Sequence, residues 1–277
     1  MNLSAAHPQF FPAPFDAVAD RYDETFTSSS IGRAQRAPVW KELAKAFRSG
    51  DRVLEIGCGT GVDGCFLAER GVEVLACDPS SQMIEVTARR VRQSGLEGLV
   101  RTRVLYAEEI STLSGELFDG AFSNFGALNC VHRLGDLARG LARLVRPGGT
   151  LLLCWMGPCC LWEIAWYLSH GNKDKAFRRF RQGGVRARIG DEAFLDIQYP
   201  SVRFLVRTFA PEFRLKSVHG IGVTIPPSYL ESWAHRHPHL LKLCGLTDSM
   251  VAGWPGLRAL ADHVLVRLQR ASLGGQP

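Results

Sequence analysis

Apolar and polar positions alternate in a regular way along the first half of the chain. Short runs of aliphatic and β-branched residues, which predict buried strands, are separated by segments in which apolar residues recur at helical spacing. This order implies right-handed crossovers between parallel strands, with helices on both faces of one sheet. The pattern predicts strands at 52–56, 72–77, 99–106, 118–123 and 150–155, and helices at 62–70, 79–93 and 134–145.

The alternation changes after residue 156. Two late extended segments would complete the sheet, one of them antiparallel, and the pieces between them would project over one end as a cap. We therefore predict an α/β fold, a doubly wound and mostly parallel seven-stranded sheet with a cap insertion. The second half of the pattern predicts helices at 161–169 and 201–209, a hairpin within 185–200, mostly helix at 228–254, and extended segments at 213–221 and 261–270.

The domain organisation follows from the same pattern, because the sequence contains no internal repeat, low-complexity segment or flexible linker. We expect one domain over residues 1–277 with insertions. Its parts are a core at 15–156, an insertion or cap at 157–200, and a C-terminal part at 201–277 that completes the sheet and carries a helical insert.

The composition is that of a globular protein with one large core, since 46% of the 277 residues are hydrophobic and 22% are charged. The start of the chain, "MNLSAAHPQFFPAPFD", lacks a basic segment followed by an apolar run, and no segment approaches the roughly 20 apolar residues needed to span a bilayer. We therefore expect an intracellular, cytoplasmic protein without a membrane span. Eight cysteines include no C-x-x-C pair, which favours buried free thiols over disulfides or zinc ligands.

Much of the formal net charge of +6 lies in one basic stretch at residues 173–188. A nucleic-acid footprint has this appearance, and so does a solvated face or the rim of a site for an acidic small substrate. We favour the solvated face or rim, so nucleic acid is a disfavoured partner.

The stretch "VLEIGCGTG" places three glycines directly after the first predicted strand. In a doubly wound sheet the first β-α turn contacts the cofactor, and Gly57, Gly59 and Gly61 allow the backbone to approach it closely. Asp78 follows about 20 residues later at the end of the second strand, where a carboxylate accepts both hydroxyl hydrogens of a ribose. The arrangement predicts a cofactor that contains a nucleoside.

The register of the glycines argues against a dinucleotide. "GTGVDG" matches G-x-G-x-x-G, but the strand ends at Ile56, so the first glycine of the turn is Gly57 and Val62 stands where the third is needed. Glu55, two positions before the turn, adds a negative charge that a pyrophosphate would not favour. The turn therefore favours a cofactor without phosphates.

Several motifs of the sequence resemble those of a known family. "VLEIGCGTG", "FDGAFSNFGALNCV" and "LARLVRPGGTLLL" resemble motifs of class I S-adenosylmethionine-dependent methyltransferases, and "FDAVADRYDETF" at 15–26 is similar to the lead-in helix of the small-molecule, quinone-biosynthesis type. The resemblance covers about residues 15–156. It implies a Rossmann-like methyltransferase fold, a cofactor-binding core over these residues, and S-adenosyl-L-methionine as the cofactor. We expect no metal.

The resemblance also implies roles for individual residues. The turn would line the methionine and ribose part of the cofactor, Glu55 would hold the turn or approach the cofactor's amino group, and Asp78 would bind the ribose. Tyr106 stands where the family has an acid that contacts adenine. The adenine would therefore be contacted by Tyr106, through stacking, or by Glu108. The expected cofactor-binding residues are Glu55, Gly57, Cys58, Gly59, Gly61, Asp78, Tyr106, Ala107, Glu108 and Asn124.

Methyl transfer explains the absence of an obvious catalytic triad. The sulfonium is already activated, so the enzyme mainly aligns the acceptor and excludes water, and a base is needed only when the acceptor must lose a proton. His132 and Tyr22 are the catalytic candidates. Weaker ones are Tyr199, His219 and Glu163, and for each of the five a hydrogen-bonded structural role is the commoner case.

Two further clusters invite a functional interpretation. His235, His237 and His239 have alternate spacing, but Pro238 favours a loop or helix end over a metal-binding strand. The aromatic residues Trp155, Trp162, Trp166 and Tyr167 are predicted to pack the insertion against the core, with Trp162 and Tyr167 available to an apolar acceptor if the insertion caps the site.

The sequence therefore predicts a methyltransferase acting on a small, hydrophobic metabolite. One alternative is an RNA- or protein-directed methyltransferase that uses the basic stretch at 173–188, and another is a noncatalytic cofactor-binding protein. The methylated atom, the pathway and the oligomeric state stay open.

Overall fold

The structure, a computed structural model, describes residues 13–190 and 193–272. The predictions made for the first twelve residues, for the last five, and for the turn of the hairpin at 191–192 lie outside the described residues. The described residues form nine strands: β1 (Arg52–Ile56), β2 (Glu73–Asp78), β3 (Val100–Val104), β4 (Phe118–Ser123), β5 (Val145–Met156), β6 (Val185–Ile189), β7 (Ala193–Ile197), β8 (Phe213–Ile221) and β9 (His263–Arg270).

Seven of these strands form one sheet in the order β3-β2-β1-β4-β5-β9-β8. Strands β1–β5 are parallel to one another, and β9 runs antiparallel to both β5 and β8. The predicted mostly parallel seven-stranded sheet is therefore confirmed. The remaining strands, β6 and β7, form a separate antiparallel hairpin in the predicted place.

Helices cover both faces of the sheet. They are α1 (Ser30–Ala46), α2 (Val62–Ala68), α3 (Ser81–Gln93), α4 (Leu134–Leu144), α5 (Leu161–Ser169), α6 (Lys173–Ala176), α7 (Val202–Phe209), α8 (Glu231–Arg236), α9 (Pro238–Val251) and α10 (Pro255–Arg258). Alternate residues of β5 separate the two layers: Leu151 and Leu153 join the core cluster of α4 and α7, whereas Leu152 joins that of α1, α2 and α3. This alternation is what a doubly covered sheet requires.

The chain reverses its direction of travel across the sheet next to β1. Strands β2 and β3 lie on one side of β1, and β4 and β5 lie on the other. A crevice opens beyond the carboxyl ends of the strands at such a switch point, and ligands of doubly wound folds bind there. The turn after β1 and the turn after β4 are therefore the two segments that position the site.

Two details differ from the sequence prediction. Residues 146–149, expected as a break between helix and strand, belong to β5, because Val145 pairs with Phe118 of β4 and the register shift between Phe118 and Gly120 absorbs the extra residues. The expected lead-in helix at 15–26 consists of a 3₁₀ turn at Asp16–Arg21 followed by a π-helical turn at Asp23–Thr27.

The cap and the C-terminal helices form a third cluster around α1. Ile31 of α1, Leu230, Ala234 of α8 and Leu241 of α9 are buried together, and Trp162 and Trp166 of α5 pack against them. The packing role predicted for these tryptophans is confirmed. Within the described residues, no helix combines the length and the apolar character needed to cross a bilayer.

Candidate functional site

The glycine turn after β1 depends on backbone conformations that favour glycine. Gly57, Gly59 and Gly61 all have positive φ values, of 70°, 54° and 76°. The amides of Gly57 and Cys58 donate to the carbonyl of Cys77 at the end of β2, at 2.8 and 2.9 Å. The turn is therefore fixed to the neighbouring strand and presents its backbone to the crevice.

A cleft lies against this turn. Its walls are residues 57–60 and Val62 of the turn together with Tyr22, Thr27, Arg36, Asp63, Asn124 and Phe125, and we call it the turn cleft. The structure thus brings together five residues predicted for the site, namely Gly57, Cys58, Gly59, Asn124 and Tyr22. Gly61 lies behind the turn, where an added Cβ would come within 2.5 Å of Thr87.

Asp78 holds the turn from the end of β2. Its Oδ2 accepts from the amide of Gly59 and its Oδ1 from the amide of Ser80, each at 2.9 Å. Burial raises the pKa of Asp78 to about 6, although both amide hydrogen bonds favour the ionised form. Each carboxylate oxygen keeps a second lone pair for a further donor, which a ribose hydroxyl would supply.

One carboxylate that the sequence analysis did not single out organises the opposite wall. Asp63, in the first turn of α2, accepts from Arg36 Nη1 and Trp40 Nε1, each at 2.6 Å, and from Asn124 Nδ2 at 2.9 Å. Asp63 and Arg36 are both buried. Their pairing joins α1, α2 and the end of β4, which are distant in sequence and which no local motif connects.

Several buried polar atoms around the turn cleft have no hydrogen-bond partner among the described residues. They include Arg36 Nε and Asn124 Oδ1, both on residues that line the cleft. A buried donor and acceptor left unpaired cost roughly 1–3 kcal/mol each, so their presence in a ligand site calls for an explanation. A carboxylate beside Arg36 and an ammonium beside Asn124 would satisfy them, and the methionine end of S-adenosylmethionine carries both groups.

Glu55 lies one layer behind the turn. Its side chain is buried, its Oε2 has no partner among the described residues, and a Cβ on Gly64 of α2 would come within 2.5 Å of that oxygen. Burial, reinforced by the charge of Asp63 and opposed by Arg36, raises the pKa of Glu55 well above its usual value. The carboxyl therefore packs against α2 rather than lining the turn cleft.

The turn after β4 supplies an aromatic wall. Phe125 has a φ of 49°, an uncommon conformation for a residue with a side chain. The Arg36 guanidinium lies 4.6 Å from the centre of its ring, and Phe26 of the N-terminal segment packs edge-on against it at 5.1 Å. The strained backbone thus fixes an apolar ring beside the charged wall of the cleft.

The N-terminal segment at 16–27 lies over the cleft and is held by acidic side chains. Asp16 accepts from Ser80 Oγ at 2.5 Å, Asp20 pairs with Arg89 at 2.8 Å, and Asp23 accepts from Thr60 Oγ1 at 2.6 Å. Asp23 also pairs with Arg90. With Tyr22 and Thr27 in place, the turn cleft has a volume of only about 40 Å³.

The other predicted site residues lie outside the walls of the turn cleft. His132 is exposed, and its Nδ1 lies 3.1 Å from Gln198 Nε2. Tyr106 is 38% exposed, and Ala107 and Glu108 begin the short helix Ala107–Leu113 after β3.

Cys58 lines the cleft, where burial raises the pKa of its thiol well above the usual value.

Of the weaker base candidates, Glu163 takes a structural position. Glu163 of α5 is buried and pairs with Arg178 at 2.7 Å and Arg179 at 2.9 Å, so two arginines of the basic stretch neutralise an internal carboxylate. His235 pairs with Glu231 at 3.3 Å on an exposed surface, and within the described ranges no cluster of three metal-ligating groups is present.

Comparison with known proteins agrees with this geometry. Residues 53–149 match the family model described as a methyltransferase domain. A demethylmenaquinone methyltransferase of Clavibacter sepedonicus is 34% identical over 143 residues, which are 51% of this chain and 56% of that protein. The chain therefore matches only a little over half the length of that relative.

Solved structures share the fold at low sequence identity. The CcbJ methyltransferase from Streptomyces caelestis superposes with a TM-score of 0.62 at 16% identity, covering 94% of this chain and 99% of that one. The geranyl diphosphate C-methyltransferase from Streptomyces coelicolor A3(2), solved with S-adenosyl-L-homocysteine, has a TM-score of 0.54 at 16% identity and covers 85% and 76%.

Residues 53–149 are thus similar to a methyltransferase domain, and the chain has the fold of solved S-adenosylmethionine-dependent methyltransferases. The sequence relatives are named demethylmenaquinone methyltransferases.

Gly59 offers a test of the turn that separates binding from folding. Gly59→Ala and Gly95→Ala both introduce a Cβ at positive φ, and neither Cβ has a neighbour within 4 Å. We expect each to lower the free energy of unfolding by about 1–2 kcal/mol. Only Gly59→Ala should weaken S-adenosylhomocysteine binding by calorimetry, by tenfold or more. Equal affinities in the two variants would show that the cofactor does not contact this turn.

Asp78 predicts a pH dependence of cofactor affinity. If the ionised carboxylate accepts the ribose hydroxyls, affinity should be constant above about pH 7 and fall as the pH drops through the value of about 6 at which Asp78 takes up a proton. Calorimetric titration with S-adenosylhomocysteine between pH 5 and pH 8 measures this. Asp78→Asn should bind weakly at every pH with that dependence removed, whereas an unchanged dependence in the variant would assign it to another group.

Proposed function

We propose that this chain transfers the methyl group of S-adenosylmethionine to a small, hydrophobic, aromatic acceptor of the reduced-quinone class. The observation that carries the proposal is the pair of unpartnered buried atoms, Arg36 Nε and Asn124 Oδ1, on cleft walls that face the glycine turn. The amino-acid end of the cofactor would bind Arg36 and Asn124, and its ribose would bind Asp78.

Different residues of the chain bind different parts of the cofactor in this proposal. Asp78 accepts from the ribose hydroxyls, Arg36 donates to the carboxylate of the methionine part, and Asn124 accepts from its ammonium group. When bound, S-adenosylmethionine supplies an activated methyl group on a sulfonium. The negative charge of Asp63 near this end of the cleft offsets the positive charges of the cofactor and of Arg36.

The N-terminal segment acts as a cover in this proposal. A volume of about 40 Å³ is far below the roughly 300–1,000 Å³ of sites that enclose a ligand of this size, so Tyr22 and Thr27 must move outward to admit the cofactor. The segment is attached through Asp16 to the buried Ser80 hydroxyl and through the ion pairs of Asp20 with Arg89 and of Asp23 with Arg90. The two ion pairs are at least partly exposed, so they contribute little in water and allow the segment to open.

Tyr22 takes a different role from the catalytic base considered in the sequence analysis. Burial raises the pKa of Tyr22 to about 12, despite the neighbouring Arg36 guanidinium. Its phenol is therefore protonated at neutral pH and donates a hydrogen bond rather than removing a proton. In the proposal Tyr22 orients the ligand and excludes water as the segment closes.

Support for an aromatic acceptor comes from the cleft and from the relatives. Phe26 and Phe125 form an apolar surface next to the end of β4, where the methyl group would lie. The relatives are named demethylmenaquinone methyltransferases, and a reduced quinone is a flat apolar ring bearing hydroxyl groups. An acceptor of this kind would stack on aromatic side chains and present a hydroxyl or an adjacent ring carbon to the methyl group.

The RNA-directed alternative loses support from the internal pairing of Arg178 and Arg179 with Glu163, which removes two cations from the presumed footprint. The noncatalytic alternative differs from the proposal only in turnover, because a fold does not fix an activity.

Transfer of a labelled methyl group tests the proposal. The purified chain, methyl-labelled S-adenosylmethionine and a reduced naphthoquinone with a short prenyl chain should yield a labelled organic product. Asp78→Ala should lower the yield at limiting cofactor by about tenfold or more, and Asp174→Ala, whose side chain is 94% exposed on the cap, should not change it. Label in RNA or protein instead would support the alternative acceptors, and cofactor binding without any transfer would indicate a noncatalytic protein.

A further inference from the structure

A buried histidine lies beside the aromatic wall at the carboxyl edge of the sheet. His263 is the first residue of β9 and pairs with Met156, the last residue of β5. It is only 6% exposed, and its ring packs edge-on against Phe125, with the ring centres 5.6 Å apart at an angle of 79°. Because Phe125 lines the turn cleft, His263 lies one ring away from the place proposed for methyl transfer.

A carboxylate lies beside this histidine. Asp262 Oδ2 lies 3.3 Å from His263 Nδ1, an ion-pair distance without hydrogen-bond geometry, and Asp262 is itself held by Arg179 Nη2 at 2.6 Å and Gln35 Nε2 at 3.3 Å. Burial alone would raise the pKa of Asp262, but His263 and Arg179 hold it well below its usual value. The negative charge of Asp262 close to Nδ1 favours a proton on that nitrogen, which leaves Nε2 as the basic nitrogen.

The groups around this pair come from several elements. Arg179 of the cap is shared between Asp262 and Glu163, Gln35 comes from α1, and Arg36 lies over the ring of Phe125. Neither neighbouring strand places a charge beside the ring, since Met156 and Ile221 are the residues paired with His263. Among the described residues, no hydrogen bond engages His263 Nε2, so this nitrogen has its lone pair available.

Resting on the proposed function, we infer that His263 is the general base of the reaction and that Asp262 is its positioning residue. As the acceptor's oxygen, or the ring carbon that its hydroxyl activates, forms a bond to the methyl carbon, the bond between methyl and sulfur breaks and its electron pair stays on sulfur. The proton leaving the acceptor passes to His263 Nε2, and the imidazolium later releases it to solvent.

The other candidates are less suited to this step. His132 is exposed, Tyr22 is protonated at neutral pH, and the Glu163 carboxylate is occupied by two arginines. His263 is the candidate that combines burial, a neighbouring carboxylate and contact with Phe125 of the cleft wall.

Substitution of His263 separates this inference from the proposed function. With the reduced prenyl naphthoquinone as probe, wild type should show a rate that rises with pH as the imidazole loses its proton. His263→Gln should lose this rise and transfer methyl about 10²–10⁴-fold more slowly, with S-adenosylhomocysteine affinity within about threefold of wild type. The matched control is His170→Gln, an exposed histidine on the cap, which should behave as wild type.

Asp262→Asn tests the positioning role through the pH profile. Without the carboxylate the imidazolium is less favoured, so the rise in rate should move to lower pH. A merely structural residue would lower the amount of folded enzyme without moving the profile. Active wild type with an equally active His263→Gln, or an unchanged profile in Asp262→Asn, would overturn the inference while leaving the proposed function intact.

A measurement without any acceptor covers the case in which the probe is not a substrate. NMR of the His263 ring, identified by its absence in His263→Gln, gives its pKa in complexes with S-adenosylhomocysteine and S-adenosylmethionine. The sulfonium charge should lower this pKa if the ring lies near the methyl group. The same pKa in both complexes would place His263 away from the reacting centre and overturn the inference. Absence of methyl transfer by wild type would count against the proposed function instead.

Discussion

The candidate site depends on the buried hydrogen bonds that the Asp63 carboxylate accepts. It accepts hydrogen bonds from Arg36, Trp40 and Asn124, and thereby fixes α1, the start of α2 and the end of β4 relative to one another. Removing one partner of a buried ion pair typically costs about 3–5 kcal/mol, because the other charge stays buried without compensation. The same three contacts also leave Arg36 Nε and Asn124 Oδ1 without a hydrogen-bond partner among the described residues. The cluster therefore stabilises the fold and leaves two polar atoms able to bind a ligand.

This arrangement links cofactor binding to stability. A ligand that satisfies the unpaired atoms recovers hydrogen bonds that the protein alone does not make, and any ligand that binds only the folded state stabilises it by mass action. The N-terminal segment fits this account, since it covers the cleft with Tyr22 and Thr27 but is attached through exposed or half-exposed carboxylates. A rigid charged wall and a weakly held cover are what a site needs if a large cofactor must enter and leave.

The sequence predicted those features that arise from local pattern. Periodicity located all seven strands of the sheet, and the glycines predicted the tight turn after β1, because a β-α turn of this kind is built from consecutive residues. Arg36, Asp63 and His263 were missed for the opposite reason. They lie on three separate elements, and only the folded sheet brings them to Asn124 and Phe125. An acid at the first turn of a helix also resembles an ordinary response to the helix dipole, so Asp63 carried no distinct signal.

The cap also shows a limit of prediction from sequence, in this case an overestimate of surface charge. Its basic composition left nucleic acid as an alternative, yet Arg178 and Arg179 turn inward to Glu163 and Asp262, which the linear sequence does not reveal. Charge counted along a chain overestimates surface charge whenever a carboxylate is buried beneath it. In the fold this network fixes the cap to β9 and, through Asp262, to His263 beside the cleft.

The most direct test of the central claim compares two ligands that differ only in the amino-acid end. S-adenosylhomocysteine carries the carboxylate and ammonium, and methylthioadenosine lacks both. In wild type we expect S-adenosylhomocysteine to bind more tightly, and Arg36→Met should remove most of that difference while leaving methylthioadenosine affinity nearly unchanged. Arg33→Met, on the exposed face of the same helix, is the control. A loss of affinity for both ligands in equal measure, or for neither, would contradict the assignment of Arg36 and its Asp63 partner to the methionine end of the cofactor.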